Sequence, residues 1–218
     1  MNADERCELI SEDWLWREKE LRTMDYDDLR KKDIVDLKKT ILVTYSHWEG
    51  HFKYCAELLL NYIAFCVKRK IVKWTDVKEE LRLRIIFCCY RKSSLGNQNY
   101  DTFIKYLNAV GEQRFSDISD AQDAIIMTDD NLNTSRAESI CKNLGVPSFW
   151  FSTKKVIIDE RILTHRNAFA HGSRTLREGA EISWDDPDLW RSASELRSLI
   201  RQTKDQFQNA IQTKSFVE

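Results

Sequence analysis

Apolar residues return along much of this chain every three or four positions. The longest run is Ile41, Tyr45, Trp48, Phe52, Cys55, Leu59, Tyr62 and Cys66, with spacings of 4 and 3 in alternation. That is one seam of a helix of about ten turns, roughly residues 33–70, whose place is the centre of a bundle. Residues 3–24 predict an earlier, heavily charged helix in which Trp14 and Trp16 need cover; Asp25, Tyr26, Asp27 and Asp28 break its pattern. Thr75 is placed to cap a third helix over 76–90, with Val77, Leu81, Ile85 and Cys88/Cys89 inside. A loop over 93–99 and a short helix over 100–110 follow. Residues 116–133 carry five Asp and no Lys or Arg, and predict an exposed irregular segment. Ser135 with Glu138 has the form of a capping box, opening a short helix that ends at Gly145 with Pro147 beyond. Phe149, Trp150 and Phe151 lead, through Ser152 or Thr153 as cap, into a helix whose apolar face is Ile158, Ile162, His165 and Phe169. Asp186 as cap and Pro187 as first residue open a last helix on Leu189, Leu196, Ile200, Phe207 and Ile211.

Composition sharpens the fold class. Only 6 Gly and 2 Pro occur in 218 residues, so turns are few and helices long, while 7 Trp and 10 Phe supply rigid core fillers. The expectation is all-α: one helical bundle over 1–218, with 1–32 an N-terminal helical extension and 33–214 the core. No linker or repeat divides it. The six cysteines show no C-x-x-C spacing, and Cys55, Cys66 and Cys88 sit in apolar helical contexts. They predict reduced thiols in a cytoplasmic protein rather than disulfides or a zinc site. The polar start, Met1-Asn2-Ala3-Asp4-Glu5, is unlike a signal peptide, and the greasiest run, 58–67, is interrupted by Asn61 and too short for a bilayer, so no membrane partner is expected.

Charge changes the picture locally. The net charge is −1, so the whole molecule does not attract nucleic acid. Residues 1–36 nevertheless hold twelve acids and seven bases, while 154–177 hold six Lys/Arg against Asp159 and Glu160. That basic segment contains the densest candidate chemistry, Thr164-His165-Arg166-Asn167-Ala168-Phe169-Ala170-His171-Gly172. At about 100° per residue, Asn167 and His171 fall opposite the apolar face with Arg166 between them. Gly172 is a helix stop, which puts His171 in the last turn, where the dipole favours imidazolium. An arginine, an asparagine and a titratable histidine turned from the core suit phosphate chemistry, although a histidine at a helix end also serves as a plain surface group.

On the long helix, Gly50 predicts close approach by another helix. Glu49 wants a cation, with Arg166 or His171 as tertiary candidates and Lys53 as the local one. His47 and His51 have the i,i+4 spacing of a metal pair, but no carboxylate or cysteine stands at a matching offset; no metal or cofactor is expected.

The stretch Arg166-Asn167-Ala168-Phe169-Ala170-His171-Gly172 resembles the R-x-x-x-x-H motif of the HEPN superfamily, small all-helical proteins many of which are ribonucleases. Tyr45-Ser46-His47-Trp48-Glu49-Gly50, Asn131-Leu132-Asn133 and Ile158-Asp159 are similar to a branch found in bacterial toxin–antitoxin and defence loci. The resemblance covers roughly 35–175. It implies metal-independent cleavage of single-stranded RNA at a homodimer interface, without a cofactor, in a toxin or anti-phage effector. Arg166, Asn167 and His171 would be catalytic, Glu49 would support Arg166, and Arg161, Arg174 and Arg177 would meet RNA. An antitoxin or defence-system protein would be a further partner. The second reading is a catalytically silent module that binds a nucleotide or partner protein in a defence complex. Toxins of this kind that are silenced by AMPylation carry a tyrosine two residues after the histidine, where this chain has Ser173.

Overall fold

A computed structural model describes residues 1–24, 33–92, 101–104, 122, 125–128, 131–173, 181–183 and 185–218. The expectations for 25–28, for the loop 93–99, for most of the 100–110 helix and for the side chains of Cys88 and Cys89 lie outside these residues.

The fold is all-α. Helix α1 is Ala3–Leu21, α2 Ile34–Lys68, α3 Glu79–Lys92, α4 Thr134–Leu144 and α5 Phe149–Ser152. A π-helical segment, Val156–Leu163, runs directly into α6, Thr164–Ala170, and α7 is Pro187–Thr213. Val77 and Val217 form an antiparallel bridge.

Helix α2 is the axis. Asp33 opens it, its carboxylate accepting the Val35 and Asp36 N–H groups at 2.7 and 3.0 Å. Every member of the predicted seam, from Ile41 to Cys66, is buried. Phe52 meets Phe151 and Phe207 edge-on at 5.8 and 5.5 Å, which joins α2 to α5 and α7. Burying each such ring contributes about 2–3 kcal/mol. The predicted apolar face of α7 is buried throughout, and Asp186 caps it by accepting the Asp188 N–H. Cys7, Cys55, Cys66 and Cys141 are buried free thiols.

The N-terminal 1–32, expected as an extension, contributes Ile10, Trp14 and Leu21 to the common core through α1. Helix α1 is clasped to α2 by polar groups. Asp13 accepts from His51 Nδ1 at 2.6 Å and from Arg17 Nε at 2.8 Å. Arg17 also reaches His47, through the ring Nδ1 at 3.3 Å and the carbonyl at 3.4 Å. A Cβ on Gly50 would lie 3.1 Å from the Arg17 guanidinium, so the glycine makes room for this clasp. Trp16, half exposed, stacks under Arg17 at 4.4 Å.

Four local expectations are corrected. Thr75 does not cap α3: residues 74–76 form a 3-10 turn, Val77 is extended, and the helix starts at Glu79. The cause is distant, because Lys78 N–H donates to Phe216 C=O and Glu79 N–H to the Glu218 side chain. Asn133, not Ser135, caps α4, its Oδ1 accepting the Arg136 N–H at 2.9 Å. Ser152 and Thr153 cap nothing; their hydroxyls donate back to the Phe149 and Trp150 carbonyls. Within the acidic 116–133 stretch, expected to be exposed, Ile125, Ile126, Thr128 and Leu132 are buried.

Candidate active site

The site forms where the π-helical segment hands over to α6 against the first half of α2. Eight residues in π form shift the register ahead of the R-N pair, and Thr164 Oγ1 fills the disturbed turn by donating to the Asp159 carbonyl at 3.1 Å. Ile158, Ile162 and Phe169 stay buried, as their spacing predicts. His165, partly buried, donates its Nδ1–H to the Arg161 carbonyl at 2.5 Å, a structural role.

Arg166 is held on three sides. Its Nη1 donates to Asn167 Oδ1 at 2.9 Å and to Asn131 Oδ1 at 3.3 Å, and its guanidinium lies 5.0 Å from the centre of the Tyr45 ring. Such a cation–π contact contributes about 1–2 kcal/mol at a partly desolvated site. Both hydrogen bonds to the amide oxygens use Nη1; among the described residues none is made by Nε or Nη2.

The segment carrying Asn131 is itself pinned. Tyr45 Oη donates to the Leu132 carbonyl at 3.4 Å, and the Leu132 N–H donates to Glu49 at 3.3 Å. Burial pushes the Tyr45 phenol up, and the Glu49 carboxylate adds to the rise, so the hydroxyl remains a donor. Arg136 Nη1 reaches the Thr128 and Asn131 carbonyls at 2.8 and 3.0 Å. Asp159 accepts both the N–H and the hydroxyl of buried Thr134, at 2.8 and 2.9 Å. The three motif stretches other than 166–171 thus build one support for Arg166. Glu49, expected to support Arg166, accepts the Leu132 N–H next to Asn131, whose amide oxygen accepts from Arg166.

His171 is exposed at the end of α6, and its N–H donates to the Asn167 carbonyl at 3.2 Å. Gly172, at φ 70°, and Ser173 close the helix with N–H bonds to the Phe169 and Ala168 carbonyls. The structure therefore brings Arg166, Asn167 and Asn131 together, with His171 one turn on. Arg161 does not join them: its guanidinium reaches the Asp188 side chain and carbonyl and Ser192 Oγ on α7, at 3.3–3.4 Å. Arg174 and Arg177 lie outside the described residues. Tyr45 as the aromatic face under Arg166 was hidden in the core seam; a phenol on that seam with a carboxylate four residues on, Tyr45 and Glu49, was the available signal. His47 and His51, spaced like metal ligands, instead face Glu20 and Asp13 on α1.

An all-helical bundle that supports an arginine–asparagine pair and an exposed histidine at a helix end defines the class, a HEPN-superfamily domain. The family model described as RiboL-PSP-HEPN matches residues 12–209, from within α1 to near the end of α7, and the chain belongs to that family. HEPN domains are commonly ribonucleases or nucleotide-binding modules. No curated protein and no solved structure gives a match. Among the described residues no helix is long and apolar enough to cross a membrane.

Proposed function

We propose that this protein is a metal-independent endoribonuclease that cuts single-stranded RNA where two copies of residues 166–171 face one cleft, in a toxin or anti-phage role. The observation that carries the reading is Arg166, fixed by two amide oxygens and an aromatic face, one helical turn from an exposed imidazole. In this reaction the substrate supplies its own nucleophile, so no water has to be activated. His171 takes the proton of the 2′-hydroxyl as its oxygen bonds to phosphorus. The P–O5′ bond breaks, and the imidazolium returns a proton to the departing 5′ oxygen. The products are a 2′,3′-cyclic phosphate and a 5′-hydroxyl. Arg166 stabilises the charge that grows on the non-bridging oxygens, and the Asn167 amide N–H groups add donors beside it.

The test is cleavage of labelled single-stranded RNA in the presence of a chelator. His171→Ala should abolish cleavage, by about 10²-fold or more, with the helical circular dichroism unchanged. Cleavage that persists in the folded variant refutes the assignment. A native protein that cuts no RNA at any pH, yet gains mass on meeting a partner, would establish the silent binding module instead.

A further inference from the structure

Two grooves among the described residues differ in charge. One, between α3 and α4, sets Glu80 and Glu138 beside Arg84 and Lys142, so that its charged lining residues balance. The other, of 650 Å³, runs between α1 and α7, where Arg22, Arg197, Arg201 and Lys204 line the groove together with one carboxylate, Glu18. Glu18 is engaged by Arg197 Nη2 at 2.6 Å and Arg22 Nε at 3.0 Å. Burial alone would raise its pKa; those hydrogen bonds outweigh burial and hold it below the usual range, so it is an anion that orients two guanidinium groups. Lys204 pairs with Asp205 at 3.0 Å. Arg201 is exposed and has no acidic partner among the described residues.

The arrangement is linear. Arg197, Arg201 and Lys204 recur at 4 and 3 on one face of α7, and so climb about 10 Å along it. Ser194 and Ser198 stand on the same face, and Leu15, 63% exposed, makes an apolar lip on the α1 side. A row of cations meets successive phosphates, and an apolar lip meets a ribose or base face. The protein's net charge of −1 would not by itself hold a polyanion, so a local row of cations, here in addition to the basic segment 154–177, is what can retain one.

We propose that the groove between α1 and α7 binds the phosphodiester backbone of single-stranded RNA, holding substrate at a place distinct from the Arg166 cluster. This rests on the ribonuclease reading. The test uses the full chain carrying His171→Ala, so that RNA stays intact, and measures anisotropy of a labelled uridine-rich oligonucleotide across a salt series. Adding Arg201→Gln should weaken binding about fivefold at 0.1 M salt and lower the salt slope by about 0.7, the loss of one phosphate contact. Adding Arg22→Gln should weaken it further, whereas Lys142→Gln, in the neutral groove, should change neither quantity. Unchanged affinity and slope in Arg201→Gln overturn the proposal, as does competition by polyglutamate as strong as by unlabelled RNA. If the native chain still cuts RNA in that case, the groove assignment alone has failed. If the native chain neither binds nor cuts, both readings fall.

Discussion

Asp13→Asn should reveal how much of the bundle's stability resides in the clasp between α1 and α2. Asp13 is only 12% exposed at its side chain, and its carboxylate accepts from His51, which is fully buried, and from Arg17. Burial alone would raise its pKa; the hydrogen bonds from His51 and Arg17 prevail and bring it down to about 2, from 3.8. The difference corresponds to about 2 kcal/mol of folding stability. A depressed carboxylate contributes in full above its unfolded value and loses its contribution as pH falls through its folded one. The gap between the native chain and Asp13→Asn should therefore be about 2 kcal/mol at pH 7 and roughly half of that at pH 3. His51 adds a second slope of the same sign. Burial lowers its pKa despite the Asp13 carboxylate, so below about pH 6.5 the unfolded chain takes up a proton that the folded one refuses. Its neutral form suits the site, with Nδ1–H toward Asp13 and Nε2 facing Cys55 Sγ at 3.5 Å. Urea unfolding followed by tryptophan fluorescence at pH 7, 5 and 3 measures the gap. A gap that stays constant with pH would show that the carboxylate's charge contributes nothing and that the clasp is only a matter of shape.

The other predictions concern the supports of the site. Gly145→Ala and Gly172→Ala both place a side chain at positive φ, 72° and 70°, but only at Gly145 would the new Cβ strike backbone, 2.8 Å from the Ser215 carbonyl oxygen. Thermal melts should show a loss of about 1 kcal/mol for Gly172→Ala and clearly more for Gly145→Ala; equal losses would contradict the packing of the C-terminal turn on α4. Asp159→Ala strands the Thr134 N–H and hydroxyl, and should cost about 1–3 kcal/mol in urea unfolding as well as lowering any RNA cleavage through a loosened 131–134 segment.

Much of the candidate site was legible because its residues are close in sequence. Arg166, Asn167 and His171 share one helix, so angular spacing alone put them away from Ile158, Ile162 and Phe169. The π form of Val156–Leu163 was not legible, since a residue spacing of 4 fits α and π turns alike. The cap of α4 was misread for a related reason: Ser135 with Glu138 satisfies a local rule, but the Thr134 N–H finds Asp159, 25 residues away. The burial of Ile125 and Ile126 was masked by the five aspartates around them, which dominate any average taken along the chain.

What the sequence determined by itself is the set of amphipathic faces. The seam of α2 and the stripe of α7 are periodic over many turns, and a pattern that long has one low-energy answer, because water expels the whole stripe at once. What tertiary structure decided is which polar groups meet. Asn131 and Tyr45 on Arg166, Glu49 on the Leu132 amide, Asp13 on His51 and Glu18 on Arg197 all join residues from separate elements. Hydrogen bonds and ion pairs act over about 3 Å and depend on direction, so their partners are chosen only after the apolar faces have packed.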